Sequence, residues 1–266
     1  MLNVSLNDRD FASFQQMIFS IAGISMTPAK KALVAGRLAK RLKHHGLDSY
    51  GAYFQLLSRH QDEVQVAVDL LTTNETFFFR EPKHFDFLRD RILPGHPPGR
   101  PFRVWSAASS SGEEAYTLAM VLAERLGEAA WEILGSDICT RVLAKARTGL
   151  YPMERTRGIP AASLRAYCLK GVGSQEGCFM IDPVLRRRVS FAQINLNERL
   201  PEVGEFDVIF LRNVMIYFQA ETKRQVVARL LAKLRPGGFF IVGHSESLNG
   251  LTQGLETVAP SIYRKP

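Results

Sequence analysis

Cysteine is scarce in this 266-residue sequence, which has three, Cys139, Cys168 and Cys178, and none of them belongs to a C-x-x-C pair. This scarcity excludes a disulfide framework and indicates no structural zinc site, so we expect a reducing, cytoplasmic setting. No run reaches the roughly 18–20 apolar residues of a membrane span, and the first ten residues are too rich in acids and amides for a signal peptide. We therefore expect no insertion into a membrane.

Acidic residues are absent between Phe11 and Leu47, whereas lysine and arginine recur there, in a chain of net charge +8. A basic run is usually a solvated helix face, but solubility alone favours mixed charges. A face of one sign indicates an acidic partner, which could be nucleic acid, anionic lipid or an acidic protein surface. Nucleic acid is not expected, because no aromatic stripe accompanies the basic residues. The predicted partner-binding residues of this segment are Lys30, Lys31, Arg37, Lys40 and Arg41.

Apolar residues keep helical spacing from residue 8 to residue 71. Breaks divide this stretch into four predicted short helices, and they fall at Gly23, Thr27–Pro28 and Gly46. We therefore predict an all-α domain over 1–71, with a basic second helix. A linker or lid over 72–82 follows it.

From Phe102 onward, apolar strands alternate with amphipathic helices, which predicts an α/β domain with a doubly wound parallel sheet over 83–266. The predicted strands cover 102–107, 131–137, 189–193, 206–213 and 238–245. The predicted helices cover Glu113–Leu126, Thr140–Arg147 and Glu221–Leu234, and a closing antiparallel hairpin is predicted in 255–265. Residues 149–187 interrupt this rhythm with KGVGSQEGCFMID, and they predict a small inserted antiparallel β-subdomain.

Ligands of doubly wound sheets bind at the carboxyl ends of the strands. Here the first strand leads into VWSAASSSGEEAY, a turn of small residues, and the second ends in Asp137. The turn lacks the G-x-G-x-x-G glycines that admit a pyrophosphate, and two acids begin the next helix. A cationic ligand without phosphate, such as S-adenosylmethionine, fits this pattern better. We expect Glu113 to contact it and Glu114 to cap the helix, although dipole capping alone explains acids at a helix start.

Two further stretches allow alternatives. GHSES (243–247) nearly matches the G-x-S-x-G nucleophile elbow, but a triad needs a histidine after Ser245 and none follows His244, which disfavours a hydrolase. The six histidines show no metal-binding spacing, and no metal is expected. TTNETFFFRE is either a linker pinned by buried aromatic rings or a lid whose Arg80 clamps a carboxylate.

Six segments in this order, LTTNETFFFRE, VWSAASSSGEEAY, SDI, INL, FLRNVMIYF and GHSE, closely resemble the CheR-type chemotaxis-receptor methyltransferases. The resemblance covers nearly the whole chain. It implies a class I, Rossmann-like S-adenosylmethionine-dependent methyltransferase domain behind an all-α domain. The family transfers methyl groups to glutamate side chains of chemoreceptors and releases S-adenosylhomocysteine. The implied cofactor contacts are Asn74, Thr76, Arg80, Glu113, Asp137, Asn195, Leu196, Arg212 and Asn213.

The resemblance also implies that Arg80 and Tyr217 lie beside the reacting methyl group. In some members the inserted hairpin binds a peptide at the receptor C-terminus, and the matching loop glycines are Gly171, Gly173 and Gly177. A cytoplasmic monomer whose partners are acidic receptor helices is the expectation. The alternatives are a methyltransferase acting on RNA or a small molecule, whose N-P-P-Y motif is absent, and a cofactor-binding regulator without catalysis.

Overall fold

Four helices form the N-terminal part of the computed structural model, which describes residues 4–97 and 99–266. They are α1 (Asp8–Ala22), α2 (Lys31–His45), α3 (Tyr50–Leu57) and α4 (Gln61–Leu71). The side chain of Asn7 accepts the amide of Asp10 at 2.8 Å and caps α1. Gly23 and Gly46, with φ of 70° and 64°, end α1 and α2 in the left-handed conformation that glycine allows. The four predicted helices and their breaks are confirmed.

The core of this helical domain follows the apolar spacing of the sequence. Phe14, Ile18, Leu38 and Tyr53 are completely buried, and one face of each helix contributes to the cluster. Burying each such side chain stabilises the fold by roughly 1.5–3 kcal/mol. The polar faces of the helices remain outside.

Ten strands form two sheets among the described residues 72–97 and 99–266. In chain order they are β1 (Phe102–Ser106), β2 (Trp131–Asp137), β3 (Leu150–Pro152), β4 (Cys168–Lys170), β5 (Cys178–Ile181), β6 (Val189–Gln193), β7 (Phe206–Leu211), β8 (Leu234–Val242), β9 (Glu256–Ala259) and β10 (Ile262–Arg264). Helices between them are α5 (Lys83–Phe87), α6 (Glu113–Leu126), α7 (Thr140–Thr148), α8 (Ala161–Tyr167), α9 (Pro183–Arg186) and α10 (Ala220–Leu231).

The large sheet has the order β6-β2-β1-β7-β8-β10-β9. Strands β6, β2, β1, β7 and β8 run parallel, whereas β10 pairs antiparallel with both β8 and β9. The predicted closing hairpin is therefore confirmed. Several predicted boundaries differ. The last helix ends at Leu231 and not at Leu234, and β8 covers Leu234–Val242 and not 238–245, because the backbone of Leu234 pairs with Phe206. Strand β7 ends at Leu211, two residues before the predicted end. The strand order reverses between β1 and β7, which is where such sheets bind ligands.

The small sheet has the order β3-β5-β4 and is antiparallel throughout. It lies within the stretch predicted as an insertion, and β4 and β5 form the hairpin on either side of the glycine-rich loop. Strand β4 lies at one edge of this sheet. Within the described ranges 4–97 and 99–266, no helix is both long and apolar enough to cross a membrane.

The helical domain lies against the carboxyl ends of the parallel strands. A β-bridge joins Ile24, just after α1, to Phe218, which follows β7. The amide of Ser25 donates to the carbonyl of Tyr217 at 2.8 Å. These backbone bonds hold the end of α1 beside the strand edge expected to bind ligands.

Candidate functional site: a cleft between the helical domain and the parallel sheet

A cleft of about 1270 Å³, including its open mouth, lies between the helical domain and the sheet. Three parts of the chain line it: the helical domain, the lid segment over 72–82, and the turns that follow β1, β2, β6 and β7. Most of the residues expected to contact the cofactor or the reacting methyl group line this cleft together: Asn74, Thr76, Arg80, Asp137, Asn195, Leu196, Arg212, Asn213 and Tyr217. The structure thus brings together side chains that are up to 143 residues apart in the sequence.

The lid segment holds Arg80 through backbone strain and buried aromatic rings. Its neighbours Phe79 and Glu81 have φ of 54° and 57°, a conformation that is costly for side chains larger than glycine. Phe78 is completely buried, with its ring centroid 5.1 Å from that of Tyr151. The Arg80 guanidinium donates to the Glu75 carbonyl at 2.9 Å. The first interpretation, a segment pinned by buried aromatic rings, therefore fits the structure, and the same segment lines the cleft. The carboxylate clamp by Arg80 stays a prediction.

Arg212, at the end of β7, binds the lid to the sheet. Its side chain is 2% exposed and donates to Glu81 at 3.0 Å and to Glu114 at 2.8 Å. It also donates to the carbonyl of Arg80. Although burial raises the pKa of Glu81, Arg212 and Asn213 hold that pKa below its usual value. The lid is consequently fixed by a buried cation that lines the cleft.

The structure places the two glutamates that begin α6 in different surroundings. Glu114 lines the cleft, where it accepts hydrogen bonds from Arg212 and from Ser106 at 2.7 Å. The expectation that it only caps the helix is therefore wrong, because it carries the charge that balances Arg212. Glu113 is 1% exposed, accepts a hydrogen bond from Ser111 at 2.7 Å, and is outside the cleft lining. Burial raises its pKa, and its contact with the cofactor stays a prediction.

Asp137 ends β2 at the inner side of the cleft. Its carboxylate accepts the amides of Ser110 and Cys139, each at 2.9 Å, and burial raises its pKa. Ser110 has φ of 49° and its hydroxyl donates to the carbonyl of Asn74 at 2.8 Å. Through Ser110, the serine turn therefore joins the end of β2 to the start of the lid segment. Asp137 adds a carboxylate to the cleft lining, where its hydrogen-bond partners are backbone amides.

Asn195 and Asn213 connect the strand ends to other parts of the molecule. The Asn195 amide group donates to the carbonyl of Ile21 in α1 at 2.7 Å. Asn213 adopts φ of 58°, its backbone amide donates to Glu246 at 2.8 Å, and its side chain donates to Glu81 at 3.1 Å. The cleft wall is therefore continuous from α1 to the lid.

The predicted partner-binding residues in α2 and at Lys30, just before it, occupy different environments. Arg41 is held by Glu63 at 2.6 Å, and Lys31 pairs with Asp8 at 2.7 Å. Arg37 donates to the carbonyls of Leu71 and Thr72, both at 3.0 Å, and lines the cleft together with the exposed Lys30. Lys40 is exposed and lines an adjacent groove. The predicted peptide loop lies elsewhere, on the β4–β5 hairpin, and its glycines are outside the cleft lining: Gly171, Gly173 and Gly177. The face is thus less uniformly basic than the sequence indicates, because Arg41 and Lys31 have acidic partners within the chain.

Three side chains that the sequence analysis did not select meet beside the cleft. The ligand atoms of Glu81, His84 and His244 all lie within 4.8 Å of one another. His84 is 1% exposed, and burial and the nearby Arg212 lower its pKa to about 3, so its ring is neutral. The sequence gives no signal for this group, because residues 84 and 244 meet only through the sheet.

Known proteins share this architecture over nearly the whole length. The family model of the all-alpha domain of CheR methyltransferases matches residues 9–72, and that of their S-adenosylmethionine-binding domain matches residues 74–263. The chain is 42% identical to chemotaxis protein methyltransferase 2 of Pseudomonas aeruginosa, over 96% of this chain and 92% of that one. It is 39% identical to the chemotaxis protein methyltransferase of Escherichia coli (98% and 92%) and 38% identical to that of Salmonella typhimurium (98% and 91%).

These matches confirm the fold class and the cofactor that the motifs implied. They agree with the cleft, because the matched cofactor-binding domain supplies the strand-end turns and the lid that line it. The chain belongs to the CheR family and is an S-adenosylmethionine-dependent methyltransferase.

Proposed function

We propose that this enzyme methylates glutamate side chains of chemoreceptors to give glutamyl methyl esters. The observation that carries the proposal is the placement of Arg80 and Tyr217 in one cleft with the strand-end residues of the cofactor-binding domain. Arg80 offers a planar guanidinium that matches a carboxylate. Tyr217 adds a hydroxyl group at the same cleft. Relatives named chemotaxis protein methyltransferases support the choice of chemoreceptors as the substrate.

The chemistry requires orientation more than proton transfer. A glutamate has an unperturbed pKa of about 4.3, so its carboxylate is already the nucleophile at neutral pH and no general base is needed. S-adenosylmethionine supplies a methyl group on a positively charged sulfur. As the carboxylate oxygen bonds to the methyl carbon, the carbon–sulfur bond breaks and its electron pair stays on sulfur. The task of Arg80 and Tyr217 is to hold the carboxylate in line with that bond.

Strong stabilisation of the carboxylate would slow the reaction, because its negative charge disappears in the transition state. The structure agrees with modest stabilisation, since Arg80 is only half-buried and already donates to the Glu75 carbonyl. The fully buried cation, Arg212, is occupied by Glu81 and Glu114. We therefore assign positioning of the substrate to Arg80 and support of the lid to Arg212.

A basic groove beside the cleft supports an acidic substrate helix. Its lining includes five cations from three parts of the chain: Arg37, Lys40, Arg141, Lys145 and Arg155. Glu75 is the single acid among the described residues that line it. Arg37 and residues 72–75 line both the groove and the cleft, so a helix held in the groove would present its side chains at the cleft. Complementary charge raises the encounter rate and fixes orientation.

The hairpin of the small sheet supports tethering by a receptor C-terminal peptide. Strand β4 is an edge strand, and on it Leu169 is 45% exposed, with Val172 just beyond it 80% exposed. Extended peptides add to such edges by main-chain hydrogen bonds, with apolar side chains giving specificity. Gly171 is needed in the loop, because a Cβ there would lie 2.0 Å from the Gln175 carbonyl oxygen. We propose that the peptide extends this sheet at β4.

Labelled S-adenosylmethionine and a panel of receptor cytoplasmic fragments provide the test. We expect label in the receptor that mild base releases as methanol, since esters hydrolyse there and N-methylated RNA bases do not. Arg80→Ala and Tyr217→Phe should each lower the methylation rate about 10- to 100-fold, because a misplaced carboxylate reacts that much more slowly. Tyr217→Phe should leave the affinity for S-adenosylhomocysteine nearly unchanged. Tyr167→Phe, outside the cleft lining, is the matched control. Base-stable label, or near-normal rates in both cleft variants, would contradict the proposal.

A further inference from the structure

Glu81, His84 and His244 form a compact group of side chains of the kinds that bind metal ions, and none of the three lines the cleft. Their ligand atoms lie within 4.8 Å of one another. The His84 and His244 ring centroids are 4.7 Å apart, and His84 Nδ1 is 3.5 Å from Glu81 Oε2. Two imidazoles and one carboxylate are a donor set that suits Zn²⁺ and similar borderline divalent ions.

An unsatisfied buried ring independently indicates a ligand. His84 is 1% exposed, and neither of its ring nitrogens has a hydrogen-bond partner among the residues that the structure describes. Buried polar groups are nearly always paired, because an unmade hydrogen bond there costs about 1–3 kcal/mol. Coordination of a cation by one ring nitrogen would remove part of that cost.

One carboxylate of the group is available to a cation. Glu81 Oε2 lies 3.5 Å from His84 Nδ1, and Arg212 is shared between Glu81 and Glu114. Glu246 accepts the amides of Asn213 and Gly243, and its other oxygen is buried without a partner among the described residues. Glu81 would therefore supply the negative charge that a bound cation needs.

We propose that Glu81, His84 and His244 bind one Zn²⁺ ion, with water or a ligand at the fourth position. Two ligand atoms at about 2.1 Å from one ion lie at most about 4.2 Å apart, so any pair of this group that is near its 4.8 Å limit must approach on binding. The exposed ring of His244 is free to make that movement, and it also gives the ion a path from solvent. The buried His84 is the fixed part of the site, and the half-buried Glu81 is free to shift toward it.

Occupation of this site affects the cleft through Glu81. That carboxylate receives hydrogen bonds from Arg212 and from the side chain of Asn213, and both donors line the cleft. An ion that draws Glu81 toward the histidines weakens these two bonds and loosens the lid. Zn²⁺ is therefore expected to lower affinity for S-adenosylhomocysteine. This effect concerns the cofactor and is independent of the identity of the methylated protein.

Calorimetric titration of the full chain with Zn²⁺ tests the proposal. His244→Ala removes an exposed ligand and keeps the backbone amide that donates to Glu81, so the fold should be retained. We expect wild type to bind one Zn²⁺ more than His244→Ala, or to bind it at least tenfold more tightly. His60→Ala is the matched control, because His60 is exposed and its side chain does not cap α4. Comparison between variants removes any contribution from the His44–His45 pair.

A second measurement uses the cofactor product. S-adenosylhomocysteine affinity is measured with and without Zn²⁺ in wild type, His60→Ala, His244→Ala and Glu81→Gln. The proposal predicts a several-fold loss of affinity caused by Zn²⁺ in wild type and in His60→Ala only. Equal Zn²⁺ binding by wild type and His244→Ala, or an equal Zn²⁺ effect on their cofactor affinity, would overturn it.

Discussion

The guanidinium of Arg212, at the end of β7, is 2% exposed, so its charge needs partners within the protein. Glu81 and Glu114 provide them. Glu81 belongs to the lid and Glu114 to the first turn of α6, so one side chain joins the lid, the sheet and the helix. A phenyl ring adds to the enclosure, since Phe85 lies 5.3 Å from the guanidinium carbon. Breaking such a buried pair leaves an uncompensated charge, which is more costly than the pair is stabilising.

Replacement of Glu114 tests this dependence. Glu114→Gln should lower the free energy of unfolding by about 1–3 kcal/mol, less than the loss of a fully isolated pair because Glu81 still faces Arg212. It should also weaken S-adenosylhomocysteine binding, since Glu114 and Arg212 line the cleft. Urea titration and calorimetry provide the two measurements. Glu124→Gln, exposed on the same helix, is the control, and equal behaviour of the two variants would show that Glu114 is only a helix cap.

At the scale of elements, the exposed edge of the small sheet is defined by its hydrogen-bond alternation. The Gly171 amide donates to Cys178, and the Tyr167 carbonyl accepts from Asp182, so these residues bond toward β5. Alternate residues of an antiparallel strand bond to opposite sides. The amide of Lys170 therefore faces outward, toward an added strand.

Lys170→Pro should consequently abolish binding of a synthetic peptide that matches a receptor C-terminus. Proline removes the outward donor and keeps the hydrogen bonds of the β4–β5 hairpin. Lys170→Ala keeps the donor and should bind within a few-fold of wild type. Fluorescence anisotropy of the labelled peptide measures affinity, and unchanged S-adenosylhomocysteine binding shows that the fold is intact. Wild-type affinity in Lys170→Pro would remove β4 as the docking edge.

At the scale of the whole molecule, stability depends on a buried ion pair inside the helical domain. Glu63 of α4 accepts hydrogen bonds from Arg41 at 2.6 Å and from Tyr53 at 2.7 Å. Burial raises the pKa of Glu63, but these partners and His45 outweigh it and lower the pKa to about 2. A group with a depressed pKa stabilises the fold above its unfolded pKa and loses that contribution as pH falls toward the folded value.

The contribution of Glu63 should therefore be constant above about pH 4.5 and decline between pH 4.5 and 2. By linkage it is worth up to about 3 kcal/mol, reduced by solvent at the partly exposed Arg41. Urea unfolding from pH 6 to pH 2.5 of wild type and Glu63→Gln measures the difference. Asp62→Asn, exposed in the same turn, is the control. A difference that does not shrink on acidification would show that Glu63 is not ionised in the fold.

The sequence by itself determined the elements and most of the site. Apolar periodicity located the four helices and the parallel strands, because each face that is buried in the fold has the matching spacing. Strand ends converge at one edge of a parallel sheet, so the serine turn and Asp137 could be placed together from the pattern alone, and the family resemblance added Asn195 and Arg212. Missing glycines in the serine turn indicated a ligand without phosphate.

Only the tertiary structure decided which charges remain available. The basic face of α2 was overestimated because Glu63, 22 residues after Arg41, approaches it only when α4 packs against α2. The roles of Glu113 and Glu114 were interchangeable in sequence, since both begin the same helix. Helix rotation against the sheet placed Glu114 at Arg212 and buried Glu113. His84 and His244 met for the same reason: local pattern specifies faces, whereas contacts between distant residues arise from packing.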